Sequence, residues 1–256
     1  MKIAVAGGTG TVGQYVVAAA QEAGHDVAVL SRHTGVDVAS GAGLARALTG
    51  IDALIDVTNP GTLSARVATR FFERSTAHML AAGEAAGVQH HVALSIVGID
   101  GVNSGYYAGK LAHERAVEKS ERVPYTIVRA SQFHEFPAQF LARMPGPIAY
   151  MPTSLLRPVA AREVGAYLVR VAQSDPAARA EDLVGPGDEV LADMARRYLR
   201  RAGRKQRVLE MRMPGRMGKA FASGVLRGTE RATRGKITFD TWLASADSHI
   251  PTSGSP

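Results

Sequence analysis

Tyr106 and Lys110 stand four residues apart in a stretch of helical character, which sets both side chains on one face of a helix. A phenol beside an ammonium is a proton-donating pair. A free tyrosine titrates near ~10, and acid–base work at neutral pH wants a value near ~7, a gap of about 4 kcal/mol. One ammonium about 4 Å away supplies roughly that much at an effective dielectric near 20. The expected chemistry is proton donation to a substrate oxygen during hydride transfer, with Lys110 tuning the phenol and hydrogen-bonding a ribose.

A hydride donor needs its own binding device. Gly7-Gly8-Thr9-Gly10-Thr11-Val12-Gly13 places glycines at i, i+3 and i+6, after an apolar run and before a helical one. Glycines so spaced allow a tight turn, close approach of backbone to a pyrophosphate, and close helix–sheet packing. The helix opening adds free amides and a partial positive charge. Gly7, Thr9, Gly10, Thr11, Val12 and Gly13 are therefore expected to bind a dinucleotide. The second strand ends Leu30-Ser31-Arg32, without the acid that holds a free ribose 2′-hydroxyl; Asp26 lies at its other end. A guanidinium pairs bidentately with a 2′-phosphate, so Ser31 and Arg32 point to NADPH over NADH. By position alone, Asp37 and Val38 fall at the adenine edge, and Thr58 and Asn59 at the carboxyl end of a fourth strand facing the same crevice.

These groups need a scaffold, and periodicity supplies one. Strands are expected at Lys2–Ala6, Val27–Leu30, Gly35–Val38, Ala53–Val57, His91–Val97 and Tyr125–Arg129. Helices are expected over Val12–Ala23, Leu44–Leu48, Ser64–Ala86 and Tyr106–Lys119, with Gly24 and Gly87 as stops. Alternating strands and helices specify an α/β fold, a doubly wound parallel sheet. Beyond residue 130 the prolines at 137, 145, 147, 152 and 158 suggest irregular structure. Helices over Arg162–Gln173, Glu189–Ala202 and Met217–Leu226 and a strand at Val208–Arg212 follow. The reading is one domain over 1–246, with a core of about 1–135 and a lobe of about 136–246, and a disordered polar tail over 247–256.

Composition narrows the class. Cysteine is absent, which removes disulfides and thiolate metal sites. Ile3 to Gln21 carries no charge, yet four glycines break any membrane-spanning or signal-peptide core, so a cytoplasmic protein without a membrane segment is expected. The net charge is +7, but residues 196–236 hold 14 Lys and Arg against Glu210 and Glu230, a local +12 that leaves −5 elsewhere. That segment is either a solvated face or a surface for phosphate or an acidic partner. His90 and His91 are adjacent and diverge on a strand, so no metal site is expected, and no serine sits in a hydrolase elbow.

The glycine spacing, Tyr106-Tyr107-Ala108-Gly109-Lys110 and Arg129-Ala130-Ser131-Gln132-Phe133-His134-Glu135-Phe136 together resemble the atypical short-chain dehydrogenase/reductases. The similarity is nearest to the NmrA-like NAD(P)H-binding oxidoreductases and runs through Thr238–Leu243. It implies a Rossmann fold, NADPH as cofactor, and a smaller C-terminal substrate-binding lobe. Reductases of this superfamily place a hydroxyl residue after the strand that precedes the tyrosine. Ser95 is the candidate here, although Ile96 and Val97 interrupt the usual hydroxyl run, and it serves either the substrate or the strand end. Gln132, Phe133, His134 and Phe136 form either a substrate wall with a polar orienting group or a structural corner. The function expected is reduction of a small carbonyl or quinone-like substrate by a monomer or homodimer. Some NmrA-like members lack turnover, so the alternative is an NADP(H)-sensing regulator binding a protein or nucleic acid partner.

Overall fold

The computed structural model describes residues 1–248. Through residue 130 the order is β1 (Lys2–Ala6), α1 (Gly13–Glu22), β2 (Asp26–Leu30), α2 (Leu44–Ala47), β3 (Ala53–Asp56), α3 (Ala65–Ala86), β4 (His90–Ile96), α4 (Gly105–Glu118) and β5 (Tyr125–Ala130). Then come α5 (Phe136–Ala142), β6 (Ile148–Pro152), β7 (Leu155–Leu156), α6 (Ala161–Ala172), β8 (Ala178–Arg179), β9 (Leu183–Val184) and β10 (Glu189–Val190). The last elements are α7 (Leu191–Arg201), β11 (Arg207–Met211), α8 (Gly215–Ser223), β12 (Thr233–Arg234) and α9 (Phe239–Ala244).

The chain divides into two compact units. The first comprises 1–130 and 161–182, so α6 and β8 return to it after the chain has left. The boundary is thus not the single cut near residue 135 read from the sequence. The α6 helix packs on α1 and on β3 and β4. At Gly165 an added Cβ would lie 2.7 Å from the Tyr15 carbonyl carbon, so only glycine lets the two helices meet this closely.

In this unit the strands run parallel in the order β2-β1-β3-β4-β5, with β8 also pairing in parallel with β5. Helices α1 and α6 form one layer and α3 and α4 the other, the doubly wound arrangement. Cover on both faces explains why the strands read as unbroken apolar runs. Residues 3–6 and 53–56 are fully buried. Gly24 and Gly87 end α1 and α3 at φ +77° and +73°, where a Cβ would be strained, and Ser64 caps α3 by accepting from the Val67 amide at 3.4 Å. The chain runs left from β1 to β2 and then right to β3, so the carboxyl ends of β1 and β3 flank a topological switch point, the crevice where such sheets bind ligands.

The short third strand expected at Gly35–Val38 is absent. Ser31 and Thr34 close a capping box around a 3₁₀ turn at Arg32–Thr34, and Gly35 at φ +78° turns the chain again. Only an isolated bridge, Asp37 to Ala42, remains, so Thr58 and Asn59 follow the third strand rather than a fourth.

The second unit, 131–160 with 183 onward, holds α5, α7, α8 and α9 and three two-stranded pairings: β7 with β10, β6 with β11, and β9 with β12. Its core gathers Ala160, Met194, Phe239, Trp242 and Leu243. Helix α5 occupies a stretch read as irregular because Pro137 sits at its amino-terminal turn, where proline costs no hydrogen bond. Glu189 and Val190 pair with β7, so α7 starts two residues later than expected. Of the tail expected over 247–256, Asp247 and Ser248 lie in a 3₁₀ turn and the rest falls outside the described residues. No helix among the described residues is long and apolar enough to cross a membrane.

Candidate active site

The glycine turn is built for a backbone ligand. Gly7, at φ +81°, donates to the Leu30 carbonyl at 3.2 Å, and the Gly10 amide returns to the Gly7 carbonyl at 2.9 Å. A Cβ on Gly13 would sit 2.0 Å from the Gly7 oxygen and 2.6 Å from the Gly8 Cα, so α1 starts in contact with the turn itself. Thr9, Gly10 and Thr11 are exposed. The amides of Thr11, Val12 and Gly13 make no hydrogen bond among the described residues, and they open a ten-residue helix. This cradle fits a diphosphate.

At the end of β2, Ser31 spends its side chain on the cap with Thr34. The Arg32 side chain is exposed and makes no ion pair or hydrogen bond among the described residues, although its charge helps lower Asp37. Asp37 is committed to its own loop: its carboxylate accepts from the Ala39 amide at 3.0 Å and the Ser40 hydroxyl at 2.9 Å, bonds that lower its pKa. The Val38 carbonyl is within 3.2 Å of His78 Nδ1. After β3, Thr58 donates its amide to Asp56 Oδ1 at 2.8 Å, while its buried hydroxyl has no partner among the described residues. Asn59 is exposed and caps the following turn through the Gly61 amide at 2.8 Å. The Gly7 backbone lies against Val57 and Thr58, which brings the first and third loops together at the switch point.

The tyrosine and lysine lie on α4 as expected, but their surroundings differ from the expectation. Lys110, only 4% exposed, donates to the Leu94 carbonyl at 2.8 Å and lies 3.3 Å from His113 Nδ1. His113 Nε2 in turn lies 3.0 Å from Asp56 Oδ2. Phe72 closes the side, stacked on the His113 ring at 4.9 Å with the Lys110 Nζ 4.3 Å above its own ring. Burial would raise Asp56, but His113 beside it and the charge of Lys110 hold it well below the usual carboxylate range. Burial lowers Lys110 to about 8, against the pull of Asp56 and Glu114. Burial raises the Tyr106 phenol, with Asp56 and Tyr107 adding to the rise. The expected lowering of Tyr106 by Lys110 is therefore corrected. Asp56 answers the lysine's charge, and its negative field reaches the phenol.

Asp56 and His113 carry no motif that marks them. The available signal was a charged residue closing the apolar run Ala53–Ile55, and a histidine one turn past Lys110.

Ser95 is buried, and its hydroxyl has no hydrogen-bond partner among the described residues. Arg129 forks both ways, with Nε and Nη2 on Glu114 at 2.8 and 2.7 Å and Nη1 and Nη2 on Asp100 at 2.6 Å each. This network supports the strand end at Ser95 and the loop that leads into α4.

In the second unit, Gln132 is 7% exposed and neither amide atom has a partner among the described residues. Phe133 bridges to Val159, and Phe136 packs edge-on to Phe140 at 5.0 Å. His134 contacts the Ile237 carbonyl at 3.0 Å and rests against Phe239 and Trp242. Within the basic segment, Arg196 pairs with Asp193, Arg197 with Glu189 and Asp240, Arg227 with Asp188, and Arg234 with Glu230. Part of its charge is thus neutralised inside the unit.

Two buried histidines make a prediction about acid. Burial depresses His91 and His134 to about 4 each. Unfolded, each takes up its proton below about 6.5; folded, not until about 4. Stability is therefore whole above about 6.5 and falls as the pH drops through that window. The loss is about 2 kcal/mol per histidine by pH 5. Urea unfolding at pH 7 and pH 5 checks this: in His91→Leu the difference between the two should shrink by about 2 kcal/mol, and an unchanged difference refutes it.

A parallel, doubly wound sheet with a glycine cradle at its switch point and free amides at the first helix defines a dinucleotide-binding protein. A family model described as NAD(P)H-binding matches residues 7–175, more than half of the chain, and the chain belongs to that family. This bears out the resemblance read from the sequence. No curated protein matches the chain. Among solved structures, Escherichia coli NADPH-dependent quinone oxidoreductase complexed with NADPH is similar at TM-score 0.66 and 17% identity, over 98% of this chain and 96% of that one. Citrobacter sp. triphenylmethane reductase is similar at 0.67 and 16%, over 100% and 96%. Thermus thermophilus UDP-glucose 4-epimerase complexed with NAD is similar at 0.66 and 17%, over 82% and 86%. At these identities the likeness is one of fold.

Proposed function

We propose that the protein is an NADPH-dependent oxidoreductase of the atypical short-chain dehydrogenase/reductase type, NmrA-like, reducing a small carbonyl or quinone-like compound. One observation carries this reading: a buried Lys110 amine tied to the Leu94 carbonyl of β4, one helical turn past Tyr106. When bound, the nicotinamide supplies the hydride. Tyr106, protonated at neutral pH, gives its proton to the substrate oxygen, and Lys110 holds the ribose hydroxyls. The Thr11–Gly13 amides take the diphosphate, and the uncommitted Arg32 takes the 2′-phosphate. Asp37 and Val38 border the adenine with their loop backbone, and Thr58 and Asn59 lie along the same crevice. Gln132, buried without partners, is the polar group proposed for the substrate; Phe133 and Phe136 add apolar surface. Ser95 is proposed to serve the strand end. The names of the E. coli and Citrobacter neighbours support a reductase by analogy of fold.

The test is NADPH oxidation against aldehydes, ketones and quinones, with NADH as the control. Tyr106→Phe should lower carbonyl reduction about 100- to 10,000-fold while NADPH still binds, the range for a positioned proton donor. Undiminished carbonyl turnover rejects the role; quinone reduction that survives alone marks a reaction without that donor. Arg32→Glu should raise the NADPH Kd about 100-fold and leave NADH nearly untouched, since a lost charged hydrogen bond is worth about 1.5–3 kcal/mol and a repulsion is added. Equal effects on both cofactors refute the 2′-phosphate assignment.

A further inference from the structure

We propose that Asp56 and His113 are a buried positioning pair that anchors the Lys110 side chain and keeps its amine an ammonium. The catalytic consequence rests on the reductase reading above; the electrostatic one does not.

The geometry fixes the proton arrangement. An ammonium has only donors, so Lys110 Nζ donates to His113 Nδ1 at 3.3 Å, which makes that nitrogen the acceptor. The remaining ring proton is then on Nε2, which lies 3.0 Å from Asp56 Oδ2. His113 is thus a neutral bridge between a buried cation and a buried anion, on three separate elements: β3, α4 and, through the Leu94 carbonyl, β4. Phe72 covers ring and amine alike and offers no lone pair, so Leu94 and His113 direct two of the three ammonium protons. The lysine stem is consequently held in one rotamer.

The charges facing this line can be named from every side. His91 of β4 faces Asp56 and is neutral through burial. Glu114 faces Lys110 from the same helix but is occupied by Arg129 and Arg179. Tyr106, whose phenol burial raises, is uncharged at neutral pH. Asp56 is thus the counter-ion that Lys110 does not share with an arginine. Folding alone gives no reason for it, because apolar side chains of similar volume generally serve a core as well as a buried ion pair. A lysine whose charge must be present at neutral pH does give a reason.

The chain has six lysines, so carbon-13 labelling at lysine Cε gives six resonances to follow by NMR, with Lys110 identified by its loss in Lys110→Arg. In the unmodified protein Lys110 is expected to titrate at about 8. In Asp56→Asn that midpoint should fall by one to three units, the effect of one near opposite charge. His113→Leu, which breaks the bridge, should lower it as well, whereas His113→Gln, whose amide can accept from Lys110 and donate to Asp56, should restore it. A midpoint unmoved in Asp56→Asn overturns the proposal. If that variant does not fold, a midpoint unmoved in His113→Leu overturns it equally. With turnover, the limb of kcat/KM that reports Lys110 should move with the resonance. Should no carbonyl compound be reduced at all, the reductase reading fails, and the titration still decides this one.

Discussion

Gly13→Ala should cost about 3 kcal/mol or more and lower Tm by roughly 6–12 °C, with cofactor binding lost alongside. The added carbon would lie 2.0 Å from the Gly7 oxygen and 2.6 Å from the Gly8 Cα, and both are backbone, so no rotamer change relieves the clash. Relief requires α1 to move away from the turn, and that movement pulls the Thr11–Gly13 amides off their ligand. Gly10→Ala is the informative partner. Its Cβ would meet only the Gly7 oxygen, at 3.2 Å, and the position is exposed. It should fold with a loss of under about 1 kcal/mol, yet bind NADPH poorly, because the methyl occupies the approach of the diphosphate. Thermal melts with and without NADPH separate the two cases. If Gly10→Ala binds as the parent does, the cradle does not hold the diphosphate; if Gly13→Ala melts like the parent, the packing account is wrong.

Arg129→Met should destabilise the first unit by about 3–5 kcal/mol, the usual cost of leaving a buried charge without its partner. Arg129 is 5% exposed and makes four hydrogen bonds to two carboxylates, Glu114 and Asp100. Although burial opposes its charge, the hydrogen bonds and charges of Asp100 and Glu114 raise its pKa above the ordinary arginine value. Removing it leaves Glu114 buried against Arg179 alone, at 3.2 Å, and frees Asp100, which tethers the loop entering α4. Arg129→Lys should recover less than half of the loss, since an ammonium cannot reproduce the planar fork that binds both carboxylates. Denaturant unfolding checks the magnitudes, and a loss under about 1 kcal/mol in Arg129→Met refutes them. Carbonyl turnover should drop as well, because Tyr106 is the second residue of the helix that this loop delivers.

Features read directly from residues were those carried by neighbours in the chain. The strand, glycine turn and helix over residues 2–22 need only local spacing, and so do the stops at Gly24 and Gly87 and the cap at Ser64. Tyr106 and Lys110 were legible because four residues make one helical turn. The Gly35–Val38 strand failed for an equally local reason, the Ser31–Thr34 capping box, whose two hydroxyls favour a turn over extension. Helix α5 was obscured by a proline that helices accept in their first turn.

By itself, then, the chain's order of residues determined a doubly wound sheet, a dinucleotide cradle and a tyrosine–lysine pair, because each is set by spacing within one unit of roughly 30 residues. Only the folded molecule decided what Lys110 touches, that Asp56 faces it through His113, that Arg129 binds two acids, and that 161–182 rejoins the first unit. Those outcomes depend on which strands lie side by side and which groups lose their water together. Burial shifts a proton equilibrium only after distant segments have closed over it.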